Sequence, residues 1–344
     1  MFDSELKSVK AIYFLHKMFD QLHESGIEII LCFGNHDGFY LQHATVPDFV
    51  HVFKEQVETI SIQASSGEEV YFHGFSYYSQ HVKEDKLSHY PLRGPSGVHI
   101  GILHGQEKGS EESNNYAPFT IPSLVEKQYD YWALGHIHQT LTLYQKPIIQ
   151  YAGSIQGANR KEEGEKGGIL VEFKNGQVST EFISTSPVVW KKVVVDLRAE
   201  GTISLMIDKI KKEVSSIISN EVFWMIHLQL TISEDATDLF GKPLTENFLL
   251  EWFEESLSSY EQGYWIEHVS TKKVFSVDNS SDFHQAISSY ITDLPKKEVI
   301  ELVKEIYYQP SIYSLLSNEM DEEGLQEESL KACFELLEEV KVSR

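Results

Sequence analysis

The sequence has 344 residues, enough for two domains and an appendage, and its composition of 41% hydrophobic and 24% charged residues excludes a disordered or collagenous chain. A formal charge of −23, from 52 Asp and Glu against 29 Lys and Arg, argues against a surface that grips nucleic acid all over. A polyanion has to be held locally, with bound divalent cations or a partner subunit supplying the positive charge.

The only cysteines, Cys32 and Cys333, lie at opposite ends of the chain. They make no disulfide framework and fit a reducing, cytoplasmic compartment. The opening residues contain no apolar signal core, and no apolar run approaches the length of a membrane span.

Val9, Ile12, Leu15, Phe19 and Leu22 recur at three- and four-residue steps and predict a helix that ends near Gly26. Ile27 to Phe33 is a nearly continuous β-prone run, the pattern of a strand covered on both faces. It delivers Gly34-Asn35-His36-Asp37 to a loop. The arrangement recurs where Val98 to Leu103 runs into His104-Gly105, and where Tyr131 to Leu134 runs into Gly135-His136-Ile137-His138. In layered α/β folds ligands bind beyond the carboxyl ends of strands, so these three loops are expected to converge.

Residues 105 to 122, rich in Glu, Ser, Asn and Pro, read as a long surface loop near that site. Lys174-Asn175-Gly176 between two β-prone runs predicts a hairpin that closes the first domain. After Thr185-Ser186-Pro187, Trp190 to Leu197, Ile203 to Ile217 and Phe223 to Ile232 suggest a small β-α-β unit. From about Phe283 the chain reads as helix, acidic on one side, with an apolar stripe at Leu330, Cys333, Phe334, Leu337 and Val340 that packs either at home or on a partner helix.

Asn35, His104, His136 and His138 are neutral nitrogen and oxygen donors on loops, suited to a first-row divalent ion such as manganese, zinc or iron. Histidines one residue apart on an extended segment face opposite ways and can address two ions, unless the loop turns sharply. Each motif has a bland alternative: Gly-Asn-His-Asp could be a simple turn, and a lone His104 a packed residue. Their order and shared position after apolar strands favour a metal site. His73, His81, His89, His99 and His227 are expected to be packed or surface residues. Cys32 is expected to be a small buried hydrophobe, and Trp132 a core aromatic.

The three motifs, in this order, resemble the later motifs of calcineurin-like metallophosphoesterases. The segments Tyr151 to Gly157 and Glu163 to Gly168 resemble the SbcD-like DNA exonuclease branch, particularly its YhaO-like members. The resemblance implies an α/β four-layer sandwich with a mixed central sheet over residues 1–186, truncated at its amino end, a small α/β capping domain at 187–282 and a helical region at 283–344. It makes Asn35, His104 and His136 ligands of one metal and His138 a ligand of the other, with His36 the catalytic histidine and Asp37 its orienting carboxylate. The chemistry implied is in-line attack on phosphorus by water activated at two divalent cations, manganese foremost, without a protein nucleophile.

Two motifs of that family, Asp-x-His and Gly-Asp, do not occur in the 344 residues, and with them goes the carboxylate that bridges the metals. Met1-Phe2-Asp3-Ser4 resembles the stretch just after Gly-Asp, so the chain is expected to begin inside that motif and to have little activity as it stands. Asp3 lies where family members do not usually have a ligand. The branch implies DNA as substrate and an SbcC-type coiled-coil ATPase as partner, docked by the helical tail; a homodimer stays open. A metallophosphatase acting on small nucleotides or phosphoproteins, and a catalytically incomplete scaffold, are the alternatives.

Overall fold

A computed structural model describes residues 9–37, 46–109, 115–200, 202–219, 221–233 and 263–274. Asp3 and the expected helical tail lie outside the described residues. Of two compact units, the one comprising Met1–Val195, Ser204–Leu230 and Thr245–Ser270 contains every residue discussed below as a site.

Helix α1 (Val9–Glu24) buries Phe19 and half-buries Ile12 and Leu15. It stops where the sequence predicts. Gly26 takes φ +72°, its N–H donates to His23 O, and the Ile27 N–H reaches Leu22 O, the paired bonds of a Schellman cap. Strand β1 (Ile29–Leu31) then pairs in parallel with β2 (Val50–Val52). It is shorter than the expected Ile27 to Phe33. Beyond Leu31 the backbone finds other partners: Phe33 N–H donates to Ser76 Oγ at 3.0 Å, and Phe33 O accepts from Tyr77 N–H at 2.9 Å. These bonds fasten the following loop to the chain at Ser76 and Tyr77.

The central sheet is mixed and six-stranded, in the order β3 (Glu58–Gln63), β4 (Glu69–Gly74), β5 (Val98–His104), β6 (Tyr131–Gly135), β8 (Ile148–Tyr151), β7 (Leu141–Gln145). The inner strands β4, β5, β6 and β8 run parallel, and β3 and β7 are antiparallel edges. The protein is therefore an α/β protein built on a mixed sheet. Parallel neighbours end on the same side, so the loops after β5 and β6 emerge together, with His104 in register with Gly135.

Trp132 on β6 is fully buried against Tyr90 and Tyr129, with ring centroids at 5.5 and 5.0 Å. Its registered neighbour on β5 is Gly101, where a Cβ would lie 2.2 Å from the indole. No larger residue fits. The expected surface loop after β5 is partly zipped shut: Gln106 N–H donates to Tyr116 O, Lys108 N–H to Phe119 O, and a capping box at Thr120 starts helix α2 (Ile121–Val125).

The hairpin β9 (Gly167–Lys174) and β10 (Gln177–Ser184) turns at Asn175 and Gly176, both with positive φ, as a two-residue primed turn requires. A three-stranded sheet follows, β11 (Val188–Asp196), β12 (Phe223–Ser233) and β13 (Tyr264–Val274), with helix α3 (Ile203–Ile217) between the first two strands in sequence. Its third strand was not foreseen. Among the described residues no helix is long and apolar enough to cross a membrane.

A buried histidine pair joins β4 to β5. His99 Nε2–H donates to Ser96 O at 3.1 Å, so its Nδ1 accepts from His73 Nε2–H at 2.9 Å, and His73 Nδ1 accepts from the Thr59 hydroxyl at 2.8 Å. Burial, and then the neighbouring His99, lower His73 from 6.5 to about 4.

The unfolded chain takes up this proton near pH 6.5, so the stability due to the neutral ring is complete above that pH and is lost as pH falls toward about 4. The loss is expected to reach about 3 kcal/mol. Urea unfolding of the protein and of His73→Gln, compared at about pH 7 and about pH 4.5, checks it. The variant cannot titrate there and should show a shallower loss; equal slopes would remove His73 from the account.

Candidate metal centre

Gly34-Asn35-His36-Asp37 forms a tight turn, with Asp37 N–H donating to Gly34 O at 3.0 Å and Asp37 Oδ2 accepting from Gly34 N–H at 3.2 Å. Asp37 thereby serves as the clasp of the loop. Asn35 and Asp37 are buried, and His36 is exposed at the tip.

His104, at the end of β5, brings Nε2 to 2.8 Å from Asn35 Oδ1, across 69 residues of sequence. The His136 ring lies against it, with centroids 5.3 Å apart and the planes at 74°. His136 takes φ +104°, a region that costs a non-glycine residue on the order of 1–3 kcal/mol and that tends to occur at functional sites. That bend is the sharp turn on which the direction of the two loop histidines depends.

His138 is placed elsewhere. Its Nδ1 is 2.8 Å from Glu162 Oε1, and its carbonyl accepts from Ser154 N–H at 3.2 Å and from Lys166 Nζ at 3.3 Å.

The wall around His104 is built to its shape. A Cβ at Gly34 would lie 2.5 to 2.9 Å from three of its ring atoms, and one at Gly135 would lie 3.1 Å from Nδ1. Tyr77 meets the ring edge-on at 5.2 Å, and its buried hydroxyl has no hydrogen-bond partner among the described residues. Tyr116 lies over His136 at 4.5 Å.

Burial, then the neighbouring histidines, lower His104 to about 3 and also lower His136, so both are neutral rings with a lone pair to offer. His36 is among the neighbours that lower both. Desolvation of the Cys32 thiol, and next the Asp37 charge, push it up to about 12; it is inert.

These residues fit a divalent cation on one side. Two donors each about 2.1 Å from one ion and at right angles to it stand about 3 Å apart, close to the observed contact between Asn35 and His104. Among the described residues no group of three His, Cys, Asp or Glu gathers at one point, so the convergent set is two histidines and an amide. Sequence inspection alone missed Glu162, Lys166, Tyr77 and Tyr116. Lys166 and Tyr116 lay inside segments whose pattern had drawn notice, Tyr116 in the loop of residues 105 to 122.

No family model matches the chain. It is 28% identical over 348 residues, 99% of this chain and 84% of that protein, to the uncharacterized metallophosphoesterase YhaO of Bacillus subtilis. It is 25% identical over 231 residues to the DNA double-strand break repair protein Mre11 of Methanocaldococcus jannaschii, covering 62% of this chain and 60% of that protein. It is also 25% identical over 161 residues, 45% of this chain, to a subunit of the nuclease SbcCD of Staphylococcus saprophyticus, of which it spans 38%. The chain thus spans less than two thirds of the length of the last two. Similarity along nearly its whole length to a metallophosphoesterase, on a mixed α/β fold whose strand-end loops bring Asn35, His104 and His136 together, makes the chain similar to metallophosphoesterases of the SbcD/Mre11 type.

Proposed function

We propose that Asn35, His104 and His136 hold one divalent cation, manganese foremost, that His138 serves a second, and that the site hydrolyses nucleic-acid phosphodiester bonds. The observation that carries this is the meeting of Asn35 Oδ1 and His104 Nε2 at 2.8 Å beside His136. When bound, the cations supply charge neutralisation at phosphorus and lower the pKa of water.

The remaining work belongs to the protein. His36, exposed at the tip of its turn, donates a proton to the leaving oxygen, and Asp37 keeps closed the turn that presents it. Gly34 and Gly135 leave the space that His104 occupies.

Nucleic acid is the substrate favoured by the names of the Mre11 and SbcCD relatives. An SbcC-type ATPase is the partner, and residues 283–344 are the segment proposed to dock it. Residues 187–282 form the proposed cap. Gly164 N–H donates to Trp190 O at 2.9 Å and Lys192 N–H to Glu163 Oε2 at 3.1 Å, which ties β11 to the loop carrying Glu162.

The scaffold alternative draws on the small donor set. The test therefore compares the 344-residue chain with the same chain joined at its amino end to a segment carrying both Asp-x-His and Gly-Asp. Manganese-dependent cleavage of a DNA duplex is expected in the joined protein and little in the other. In the joined protein His36→Ala should lower turnover by about 10²- to 10⁴-fold while the cations stay bound. Cations bound without cleavage would favour the scaffold, and undiminished turnover in the variant would remove His36 from proton transfer.

A further inference from the structure

We propose that Glu162 is a positioning residue for His138: it fixes the imidazole as its Nδ1–H tautomer and leaves Nε2 as the nitrogen offered to a cation, with Lys166 anchoring the backbone behind it. The proposal rests on the metallophosphoesterase reading for its purpose but not for its geometry.

The His138 side chain is 60% exposed, and an imidazole in that setting ordinarily exchanges rotamers and tautomers freely. This residue is held at ring Nδ1 and at its backbone carbonyl. Glu162 Oε1 lies 2.8 Å from Nδ1, and the Glu162 side chain is only 14% exposed. Its second oxygen accepts from Ala158 N–H at 3.2 Å, and its own N–H donates to Asn159 O at 3.0 Å, so the carboxylate is fixed before it meets the ring.

Behind the ring, the His138 carbonyl accepts from the buried Lys166, whose own backbone N–H is bonded to Ser186 Oγ at 3.0 Å. A carboxylate can only accept, so the hydrogen resides on Nδ1 and the lone pair on Nε2. Carboxylates placed in this way orient metal-binding histidines generally, and an exposed ion pair contributes too little to folding to account for so much support.

The experiment is two-dimensional ¹⁵N NMR of the His138 ring in the metal-free 344-residue protein, at a pH where the ring is neutral. Wild type should show the Nδ1–H tautomer almost alone; a dominant Nε2–H tautomer overturns the proposal without any variant. Glu162→Gln keeps an acceptor oxygen and should preserve the tautomer, whereas Glu162→Ala should give a mixture of both.

Added manganese should broaden the His138 ring signals at about 10- to 100-fold higher concentration in Glu162→Ala than in wild type, with Glu162→Gln nearer wild type. An unchanged tautomer in a folded Glu162→Ala protein defeats the proposal, as does a Gln variant as impaired as Ala with its tautomer intact, which would make the carboxylate itself a ligand. The correct tautomers with no broadening of any histidine would leave the positioning role standing and remove the cation reading.

Discussion

Alanine at position 34 is expected to break the contact between Asn35 and His104 and to weaken cation binding by about 10- to 100-fold, at a stability cost of about 1–3 kcal/mol. The added Cβ would lie 2.5 to 2.9 Å from His104 Cε1, Nδ1 and Nε2. The ring cannot simply retreat, because Tyr77 stands against it and Gly135 approaches Nδ1. Alanine at 135, with its closest approach at 3.1 Å, should have a smaller effect in the same direction. Manganese titration of both variants, with urea unfolding beside it, gives the two numbers. A Gly34→Ala protein that binds as wild type does would show that His104 is not caged.

Trp132→Ala should lower stability by about 3–5 kcal/mol, the cost of emptying a fully buried aromatic site that its neighbours cannot collapse into. The indole lies over Gly101 and among Tyr90 and Tyr129, and strand neighbours on both sides hold the backbone in place. Gly101→Ala attacks the same contact from the other strand, with a Cβ 2.2 Å from the ring, and should also destabilise. Because the two residues touch, the double variant should cost less than the sum of the singles. Denaturant unfolding of the four proteins tests this; additive losses would mean that the two sites relax independently.

Periodicity, and chemistry concentrated at strand ends, made much of the fold legible in the sequence. The helix to Gly26, the strands ending at His104 and Gly135, the Asn175-Gly176 turn and the unit from Val188 to Ser233 were all visible as local patterns. The meeting of His104 and His136 followed from the parallel strands β5 and β6 ending on one side, whereas Asn35 joins them from the separate β1–β2 pair.

Less visible was anything set by long-range packing. β1 is short because Phe33 bonds to Ser76 and Tyr77, partners more than forty residues away. Glu162 reaches His138 across 24 residues that include β7 and β8, and nothing local to a Glu-Glu pair in a polar loop distinguishes it. His73 and His99 were expected to be packed or surface residues. They are packed, but their mutual hydrogen bond depends on strand register, which composition does not reveal.

Paramagnetic broadening by manganese shows whether Asn35, His104 and His136 form a divalent-cation site. Manganese added stepwise to the ¹⁵N-labelled 344-residue protein should broaden the ring signals of His104 and His136 and the side-chain amide of Asn35 at the lowest concentrations, ahead of His73 and His99. His104→Ala should abolish the selective effect while leaving the fold cooperative. Broadening that begins at other residues, or that persists unchanged in His104→Ala, would contradict the account.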